Sequence, residues 1–371
     1  MIDLFLAPGR YVQERGVLKK IEEFILSLGK KPLFLADRLV YAKVGESLVD
    51  SLKETNLKAR FEEFRGECCS EEIERVISLI KGKNIDLIVG CGGGKALDTA
   101  KAVGFYLNLP IITVPTSAAT CSAWSFIAPL YNKEGVYLKT LNLEKNPNLT
   151  LVDPEIIAQA PSRLLSAGMA DALAKWCEAR VSTQKIKKDL PTQLALDLSK
   201  KSYDLIKRIG VKAKRKVEEK KCSSQLEEII QINILLTGLI GGLGRGRCRS
   251  SAAHAFNYAM TTFKETRRAL HGEKVAFGVI MMLFLEKRRE EEIDELLRFY
   301  SLLSLPLTLE KLGFTEDKKS LWQLVKEICK EGSNIYRLPF PISEDMVYQA
   351  LLQANERGRK IEKESQERVG L

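Results

Sequence analysis

Short apolar runs alternate with amphipathic stretches in the first 160 residues of the chain. The apolar runs predict strands, and the stretches whose apolar residues recur every three to four positions predict helices. The predicted strands cover 32–36, 58–64, 85–89, 110–115 and 149–157, and the predicted helices cover 44–55, 70–82 and 95–107. Ser70 is the expected N-cap of its helix, with Glu72 and Glu74 in the first turn. A hairpin with its turn at 132–135 is expected before the last strand.

The pattern changes after Ala160, where long helical periods dominate and no confident strand is predicted. These predicted helices cover 164–183, 190–209, 223–243, 250–263, 271–288, 290–303, 319–332 and 344–361. Strands that alternate with helices at the earlier spacing favour a Rossmann-like parallel sheet. The predicted fold is therefore an α/β dinucleotide-binding domain over 1–160, followed by an all-α domain over 161–371.

The net charge of +10 and the pI of about 9.1 raise the question of a nucleic-acid partner. The basic residues are mostly interleaved with acidic ones, as in KRKVEEKK and EKRREEEIDE. Such runs are typical of solvated helix faces. We therefore expect no nucleic-acid partner.

The chain has eight cysteines and no CxxC pair, which argues against a zinc ribbon or a thioredoxin-type site. No apolar run approaches the roughly 18 residues that span a bilayer. The first residues, MIDLFLAPGRYVQERG, do not have the pattern of a signal peptide. We expect a cytoplasmic protein with reduced thiols and no membrane partner.

The strongest local motif is IDLIVGCGGGKALDTAKAV, in which an apolar strand runs into a glycine turn and then into a helix. Glycine has no Cβ, so backbone N–H groups can approach a phosphate closely, and the helix N-terminus adds a partial positive charge. Walker A would need Gly at Val89 and Ser or Thr at Ala96, and the Rossmann fingerprint would need Gly at Lys95. We interpret the motif as a third kind of pyrophosphate-binding turn, in preference to a tight turn without a ligand.

Asp37 directly follows the first apolar strand. A carboxylate at the carboxyl end of such a strand can accept the ribose hydroxyls of NAD and would repel the 2′-phosphate of NADP. A turn or capping role explains a lone Asp equally well, so both interpretations stay open.

His254 and His271 are the only histidines of the chain, and both lie in one window of helical pattern. Neutral imidazole is a common ligand of zinc and iron. Asp171 is the candidate carboxylate ligand, because it lies among apolar and small residues of a predicted helix and a buried Asp needs a partner. From the residues alone, satisfied or surface histidines and a solvent-facing Asp171 paired with Lys175 at i+4 are favoured instead.

Together these pieces resemble the iron-containing (group III) alcohol dehydrogenases, and within them the glycerol dehydrogenase group. The matching stretches are PGRYVQ, FRGECCSEEIERV, VGCGGGKALDTAKAV, ITVPTSAAT, VDPEIIAQAPSRLLSAGMADALAKWCEA and HGEKVAFG. They cover most of 7–180 and 230–285. The glycine motif, Asp171 and HGEKVAFG in this order make the resemblance specific.

The resemblance implies a dehydroquinate synthase-like fold of two domains, with NAD rather than NADP in the cleft and a catalytic metal in the helical domain. It implies one divalent metal, Zn²⁺ or Fe²⁺, held by the catalytic residues Asp171, His254 and His271. The cofactor-binding residues that it implies are Asp37, Gly93, Gly94, Lys95, Asp98, Thr116, Ser117, Ala119, Ser125, Ile127 and Tyr131. It also implies a homo-oligomer, between a dimer and an octamer. The expected reaction is hydride transfer between NAD(H) and a small alcohol or carbonyl compound.

Two residues depart from the glycerol dehydrogenase pattern and are the predicted substrate residues. Cys121 stands where that group has an Asp near the polyol, and Trp124 adds bulk. A thiol cannot accept several hydroxyl hydrogen bonds as a carboxylate does, and its lack of charge relieves repulsion of an anionic substrate. The stretches CSAW and AKWCEA look more like a hydroxycarboxylate dehydrogenase branch of the same family.

Arg245, Arg247 and Arg249 precede His254, and one of them is a candidate clamp for a substrate carboxylate. A surface basic loop is the favoured alternative for these arginines. The predicted substrate is a small alcohol or its carbonyl form, with a 2-oxo acid such as 2-oxobutyrate preferred over glycerol. A true glycerol dehydrogenase, a dehydroquinate-synthase-like lyase and a non-catalytic nucleotide-binding protein are the alternatives.

Overall fold

A computed structural model of the chain describes residues 5–53, 55 and 57–369. Its strands are β1 (Arg10–Gln13), β2 (Pro32–Ala36), β3 (Arg60–Glu63), β4 (Leu87–Gly92), β5 (Ile111–Pro115), β6 (Ile127–Tyr131), β7 (Tyr137–Asn142) and β8 (Leu149–Val152). Its α-helices are α1 (Ile21–Leu26), α2 (Arg38–Lys53), α3 (Ser70–Ile80), α4 (Gly94–Tyr106), α5 (Pro154–Ala158), α6 (Ser162–Ser182), α7 (Leu190–Glu218), α8 (Ser224–Gln231), α9 (Thr237–Arg249), α10 (Ala252–Met260), α11 (His271–Leu285), α12 (Glu290–Leu302), α13 (Lys318–Ile328) and α14 (Glu344–Val369).

Backbone contacts group these elements into two compact units. Unit 1 comprises Met1–Pro161 and Arg215–Gly242, and unit 2 comprises Ser162–Lys214 and Leu243–Leu371. The predicted division into two continuous domains, 1–160 and 161–371, differs from this grouping over 215–242. That segment packs inside unit 1, where Asn233 Nδ2 donates to the Ala118 carbonyl at 2.9 Å. Helical periodicity alone cannot show this, because it does not say which neighbour a helix packs on.

Among the described residues, unit 1 is built on a parallel sheet of six strands in the order β1-β8-β5-β4-β2-β3. The predicted α/β class is therefore confirmed. The register places Gly92 at the end of β4 opposite Pro115 at the end of β5, with β2 as the other neighbour of β4. Ligands of such sheets bind outside the carboxyl ends of the strands. The residues that follow these strands, Asp37, Gly93 and Thr116, therefore share one edge.

The sheet is buried on both faces. β2, β4, β5 and β8 are buried along their whole length, as expected for a parallel sheet covered on both sides. Successive side chains of a strand point to opposite faces. Leu33 and Leu35 of β2 accordingly pack in the core with α3 and α4, whereas Phe34 and Ala36 pack in the core with α1.

The predicted hairpin is confirmed, and it forms a separate two-stranded sheet. β6 and β7 pair antiparallel, and the turn is closed by Gly135 N, which donates to the Asn132 carbonyl at 2.9 Å. Ser70, however, is the first residue of α3 and not its cap, because Cys69 has the extended backbone of the N-cap. The acidic residues of that first turn are Glu71 and Glu72.

The strand predicted over 149–157 is too long, since β8 ends at Val152 and a helix follows. Asp153 is the N-cap of α5, and its carboxylate accepts a hydrogen bond from Glu155 N at 3.0 Å. Pro154 occupies the first turn, where its missing N–H costs nothing. Asp153 and Pro154 therefore begin a helix here, although the apolar residues around them predict that the strand continues.

Unit 2 is helical throughout its described part, as predicted for the C-terminal domain. A helical run that leads into it, Ser224–Arg249, is long and apolar enough to cross a membrane by length and composition alone. The structure buries 61% of its most apolar window. Most of this window is therefore packed inside the protein.

Candidate active site

Asp171, His254 and His271 come together in unit 2, each from a different helix: α6, α10 and the first residue of α11. One ligand atom from each lies within 4.8 Å of the others. His254 Nε2 is 3.3 Å from Asp171 Oδ1, and His271 Nε2 is 3.7 Å from the same oxygen. One carboxylate and two imidazoles are a donor set that fits a single divalent zinc or iron ion.

Two glycines of α11 allow these helices to approach so closely. A Cβ on Gly272 would overlap the carbonyl oxygen of Ala167 in α6. A Cβ on Gly278 would stand 2.6 Å from the carbonyl oxygen of Ala253 in α10. Both glycines of HGEKVAFG are therefore spacers that bring α11 against the two helices that carry the other donors.

Lys175 is a buried member of this cluster that the sequence analysis considered only as a surface partner. Its Nζ lies 2.8 Å from Asp171 Oδ1 and 3.2 Å from His254 Nε2, and it donates to the Arg249 carbonyl at 3.2 Å. The i+4 pair with Asp171 is thus present. Both residues are only 3% exposed, however, so the pair faces the protein interior and not solvent.

Glu178, one turn beyond Lys175 on α6, is a second residue that the sequence analysis missed. It is fully buried, and its Oε2 lies 2.6 Å from His254 Nδ1. Its Oε1 accepts hydrogen bonds from the backbone N of Ser251 at 2.6 Å and of His254 at 3.1 Å. The available signal was the spacing of Asp171, Lys175 and Glu178, which at i, i+4 and i+7 share one helix face.

Charges within the cluster set the pKa of each donor. Burial raises the pKa of Asp171, but the Lys175 ammonium and the two imidazoles outweigh burial and hold this pKa well below its usual range. Burial lowers the pKa of His254, but the Glu178 and Asp171 carboxylates together outweigh burial, so the pKa is raised. Burial keeps the pKa of His271 below its usual value. These directions favour an ionised Asp171 and a neutral His271, the forms in which these groups bind metals, whereas His254 would have to give up a proton to bind.

The glycine turn lies at the carboxyl edge of the unit 1 sheet. Gly92 has φ +144°, which a residue with a Cβ rarely adopts, and its carbonyl accepts a hydrogen bond from Thr116 N at 3.1 Å. Gly93 is the N-cap of α4, and a Cβ there would meet no described heavy atom within 4 Å. Gly94 is the first residue of α4, and a Cβ there would lie 3.2 Å from Thr120 Oγ1. The open side of the turn is therefore at Gly93.

Asp37 has the capping role that the sequence left open. Its Oδ1 accepts a hydrogen bond from Val40 N at 2.8 Å in the first turn of α2. Its other carboxylate oxygen lies 3.8 Å from the Cβ position of Gly92, so the same side chain also faces the glycine turn. The ribose contact stays a prediction.

Asp98 lies in a buried network that ties α4 to the start of β6. Its Oδ1 accepts a hydrogen bond from Ser122 Oγ at 2.6 Å and lies 2.8 Å from Lys101 Nζ. The fully buried Lys101 also donates to Ser125 Oγ at 3.0 Å and to the Ile127 carbonyl at 2.6 Å. The structure thus groups the predicted cofactor residues Asp98, Ser125 and Ile127 around a lysine that the sequence analysis missed.

Lys95 and Tyr131, two further predicted cofactor residues, also lie together. Lys95 Nζ is 5.5 Å from the centre of the Tyr131 ring. The same ammonium group is 2.5 Å from Glu67 Oε2, and the Lys95 side chain is half exposed. Both residues therefore present polar or aromatic groups at the accessible rim of the glycine turn.

Ser117 and Ala119 are half-buried in the loop after β5. Between them, Ala118 is buried and held by Asn233, which donates to its carbonyl at 2.9 Å. Asn233 lies in a π-helical turn, Ile232–Leu236, and such turns occur often near functional sites. The sequence offered no signal for this contact, because it joins residues more than a hundred positions apart.

The two predicted substrate residues differ in their surroundings. Trp124 is only 5% exposed and packs on Tyr11, with ring centres 5.7 Å apart, and against Gly238, where a Cβ would overlap the indole ring. These are the contacts of a core side chain, and a substrate contact of Trp124 stays a prediction. Cys121 is half-buried, and its carbonyl accepts the Trp124 N–H at 2.9 Å.

The three arginines before His254 also differ. Arg245 has φ +52°, and Arg247 is exposed. Arg249 is half-buried, and its carbonyl accepts a hydrogen bond from Lys175, so its backbone touches the donor cluster. Burial and the neighbouring Arg249 guanidinium lower the pKa of Arg337. Arg249 is therefore linked to the candidate metal site through its backbone, and it has the guanidinium of Arg337 in its neighbourhood.

Comparisons with known proteins point to one family. Residues 8–154 match the family of iron-containing alcohol dehydrogenases. Glycerol dehydrogenase of Thermotoga maritima is 38% identical over 368 residues, which is 97% of this chain and 98% of that protein. Hydroxycarboxylate dehydrogenase A of Escherichia coli is 31% identical over 284 residues, 76% of this chain and 78% of that protein. The crystal structure of a probable glycerol dehydrogenase from Sinorhizobium meliloti matches with a TM-score of 0.88 at 35% identity, covering 96% of this chain and 99% of that one.

Proposed function

Since the chain belongs to the iron-containing alcohol dehydrogenase family, we propose that it transfers hydride between NAD(H) and a small alcohol or its carbonyl form. Membership makes the chain an oxidoreductase of the alcohol dehydrogenase type. The observation that carries the proposal is the convergence of Asp171, His254 and His271 within 4.8 Å. These residues would hold one divalent ion, zinc or iron.

A bound divalent ion polarises a substrate oxygen as a Lewis acid, and NAD takes up or supplies the hydride. The residues of the chain prepare the site for this chemistry. Asp171 supplies the negative charge of the donor set, and Lys175 holds its Oδ1 at 2.8 Å. The side chains of Asp171 and His254 are each 5% exposed, whereas that of His271 is 30% exposed. The cluster therefore opens to solvent beside His271, and a small substrate would enter there.

The cofactor residues are proposed on unit 1. Backbone N–H groups at Gly93 and the start of α4 would bind the pyrophosphate, because a helix N-terminus favours anions and Gly93 leaves room for close approach. Asp37 would accept the ribose hydroxyls with the oxygen that faces Gly92, which favours NAD over NADP. Lys95 would face the phosphates from the rim. The remaining predicted contacts are Gly94, Asp98, Thr116, Ser117, Ala119, Ser125, Ile127 and Tyr131.

The proposed substrate is a 2-oxo acid or the matching 2-hydroxy acid. Cys121 brings no negative charge to the loop where the glycerol dehydrogenase pattern has an Asp, and Arg249 lies beside the donor cluster with Arg337 next to it. Paired guanidiniums favour a carboxylate. The relation to hydroxycarboxylate dehydrogenase A supports this substrate class. Glycerol is the second candidate, supported by 38% identity to a glycerol dehydrogenase.

Steady-state kinetics of the purified protein with added Zn²⁺ or Fe²⁺ tests this proposal. We expect NADH oxidation with 2-oxobutyrate at a higher kcat/KM than with dihydroxyacetone, and NAD reduction with glycerol to be slow. Arg249→Met should lower kcat/KM for 2-oxobutyrate by about 10- to 150-fold, the value of one hydrogen bond between charged groups. Arg247→Met, at an exposed position two residues earlier in α9, is the control. A higher kcat/KM on glycerol would overturn the oxo-acid assignment.

The same assay separates the reaction classes. A dehydroquinate-synthase-like lyase uses NAD only transiently, so it would give no net change in NADH absorbance. Net stoichiometric NADH turnover is the expected result, because glycerol dehydrogenase and hydroxycarboxylate dehydrogenase A, the two relatives reported above, are dehydrogenases.

We also propose a cytoplasmic homo-oligomer. All eight cysteines are free thiols, which suits a reducing compartment. Light scattering on the purified protein would give the oligomeric state, and a mass between a dimer and an octamer is expected.

A further inference from the structure

His254 is held at both ends of its ring by α6. Its Nε2 faces Asp171 Oδ1 at 3.3 Å, and its Nδ1 faces Glu178 Oε2 at 2.6 Å. An ionised carboxylate only accepts hydrogen bonds, and the other oxygen of Glu178 accepts two backbone N–H groups. When His254 is neutral, its single ring proton is therefore on Nδ1, which donates to Glu178 Oε2. The lone pair of Nε2 then faces Asp171 Oδ1 and the Lys175 ammonium, whose Nζ lies 3.2 Å away.

The second oxygen of Glu178 holds the backbone that carries this histidine. Ser251 is the N-cap of α10, but its side chain makes no capping hydrogen bond. Glu178 Oε1 accepts the N–H groups of Ser251 and of His254 at 2.6 and 3.1 Å instead. Two of the otherwise unpaired N–H groups at this helix start are thereby satisfied by a residue of another helix. A negative charge at a helix N-terminus is also favourable.

We propose that Glu178 is a positioning residue of the metal site, which selects the tautomer of His254 through one oxygen and sets the start of α10 through the other. This inference rests on the proposed metal site at Asp171, His254 and His271. Partners that orient a ligating histidine in this way typically change metal affinity by about 10- to 100-fold when they are removed. Glu178 would act through His254 and the backbone of α10.

The diagnostic variant is Glu178→Gln. The Gln oxygen can still accept the N–H groups at the start of α10, but the amide NH₂ then faces His254 Nδ1. An NH₂ donor requires a lone pair on Nδ1, so the proton moves to Nε2, where it blocks metal binding. We expect the dissociation constant for Zn²⁺, measured by competition with a chromophoric chelator on metal-depleted protein, to rise by about 10- to 100-fold.

Glu286→Gln is the matched control, because Glu286 is also a buried carboxylate of unit 2. It pairs with Arg180 at 2.7 Å, and neither residue touches the three donors. Its removal should lower thermal stability and leave zinc affinity unchanged. If Glu178→Gln weakens zinc binding no more than Glu286→Gln does, the inference is overturned.

A spectrum of the wild-type protein provides a test that does not depend on a variant that folds. The chain has only two histidines, so selective ¹⁵N-imidazole labelling gives few signals. In the zinc-loaded protein we expect His254 to bind zinc through Nε2 and to carry a proton on Nδ1; zinc on Nδ1 would overturn the inference. Wild-type protein that binds no zinc at these histidines would overturn the proposed metal site as well, which separates the two failures.

Discussion

Buried charged side chains organise both candidate sites at the scale of single residues. In unit 2, Lys175 and Glu178 surround the donor Asp171 and the ring of His254. In unit 1, Lys101 is fully buried and joins α4 to the start of β6. Such groups are stable only while their partners remain, because a buried charge without a partner is costly. Substitution of these residues should therefore have large and specific effects.

Asp171→Asn should remove the metal. The amide keeps the shape of the side chain but loses the charge that attracts a divalent cation. After dialysis against equimolar Zn²⁺ and then buffer, we expect the bound zinc, measured by atomic absorption, to fall at least about tenfold, a difference of roughly 1.4 kcal/mol. Asp294→Asn, which disrupts the buried pair with Arg357, is the control that should keep its zinc. Unchanged zinc in Asp171→Asn would contradict the ligand assignment.

Lys101→Met should destabilise the protein strongly. It leaves the buried Asp98 carboxylate without its cation, and removal of one partner of a buried pair costs about 3–5 kcal/mol. The free energy of unfolding from urea titration measures this loss. Lys330→Met, which breaks an exposed pair with Glu327, should change the same quantity by less than about 0.5 kcal/mol. Similar stabilities of the two variants would rule out the structural role of Lys101.

At the scale of elements, the glycine motif between β4 and α4 combines two different requirements. Gly90 is a packing glycine, since a Cβ there would stand 2.5 Å from the Cβ of Ala100. Gly93 is open, with no described heavy atom within 4 Å of its Cβ position, and its φ of −80° suits any residue. Only the structure distinguishes these two roles, because the residue type is glycine at both positions and the difference lies in the surrounding atoms.

Alanine substitutions should separate these two roles. Gly90→Ala should lower the free energy of unfolding by about 1–3 kcal/mol through overpacking. Gly93→Ala should change stability little but weaken NAD binding on the order of tenfold, because the new methyl group occupies the approach of the pyrophosphate. Urea titration and quenching of protein fluorescence by NADH measure the two effects. Unaltered NADH affinity in Gly93→Ala would exclude this turn as the pyrophosphate site.

Most helices and strands were predictable from the sequence, since the spacing of their apolar residues reflects the face that each element buries. Errors arose where a local signal competed with periodicity, as at Asp153, where a capping residue ends the predicted strand early. The cap of α3 was misplaced by one residue, because Cys69 is an uncommon N-cap and Ser70 a common one. The spacing of Asp171, Lys175 and Glu178 was sufficient to predict that they share one helix face. It could not predict that this face is buried.

At the scale of the whole molecule, metal binding should be visible as stability. A ligand that binds only the folded state stabilises it by about 2.7 kcal/mol at a concentration one hundred times its dissociation constant. We therefore expect added Zn²⁺ to raise the Tm of the metal-depleted protein in differential scanning calorimetry and EDTA to reverse the shift. Asp171→Asn should show no shift. An equal shift in that variant would indicate zinc binding elsewhere.

The alternation of strands and helices, the glycine turn and the order of the motifs were determined by the sequence alone, because these features are local or lie in fixed order along the chain. They were sufficient for the α/β class, the family and three candidate donors. The tertiary structure decided what depends on distant contacts: the return of 215–242 to unit 1, the core position of Trp124 and the burial of Lys175. It also decided where the two histidine side chains lie. A sequence does not show where a side chain points, whereas the close packing of three helices, permitted by Gly272 and Gly278, places both imidazole rings beside the Asp171 carboxylate.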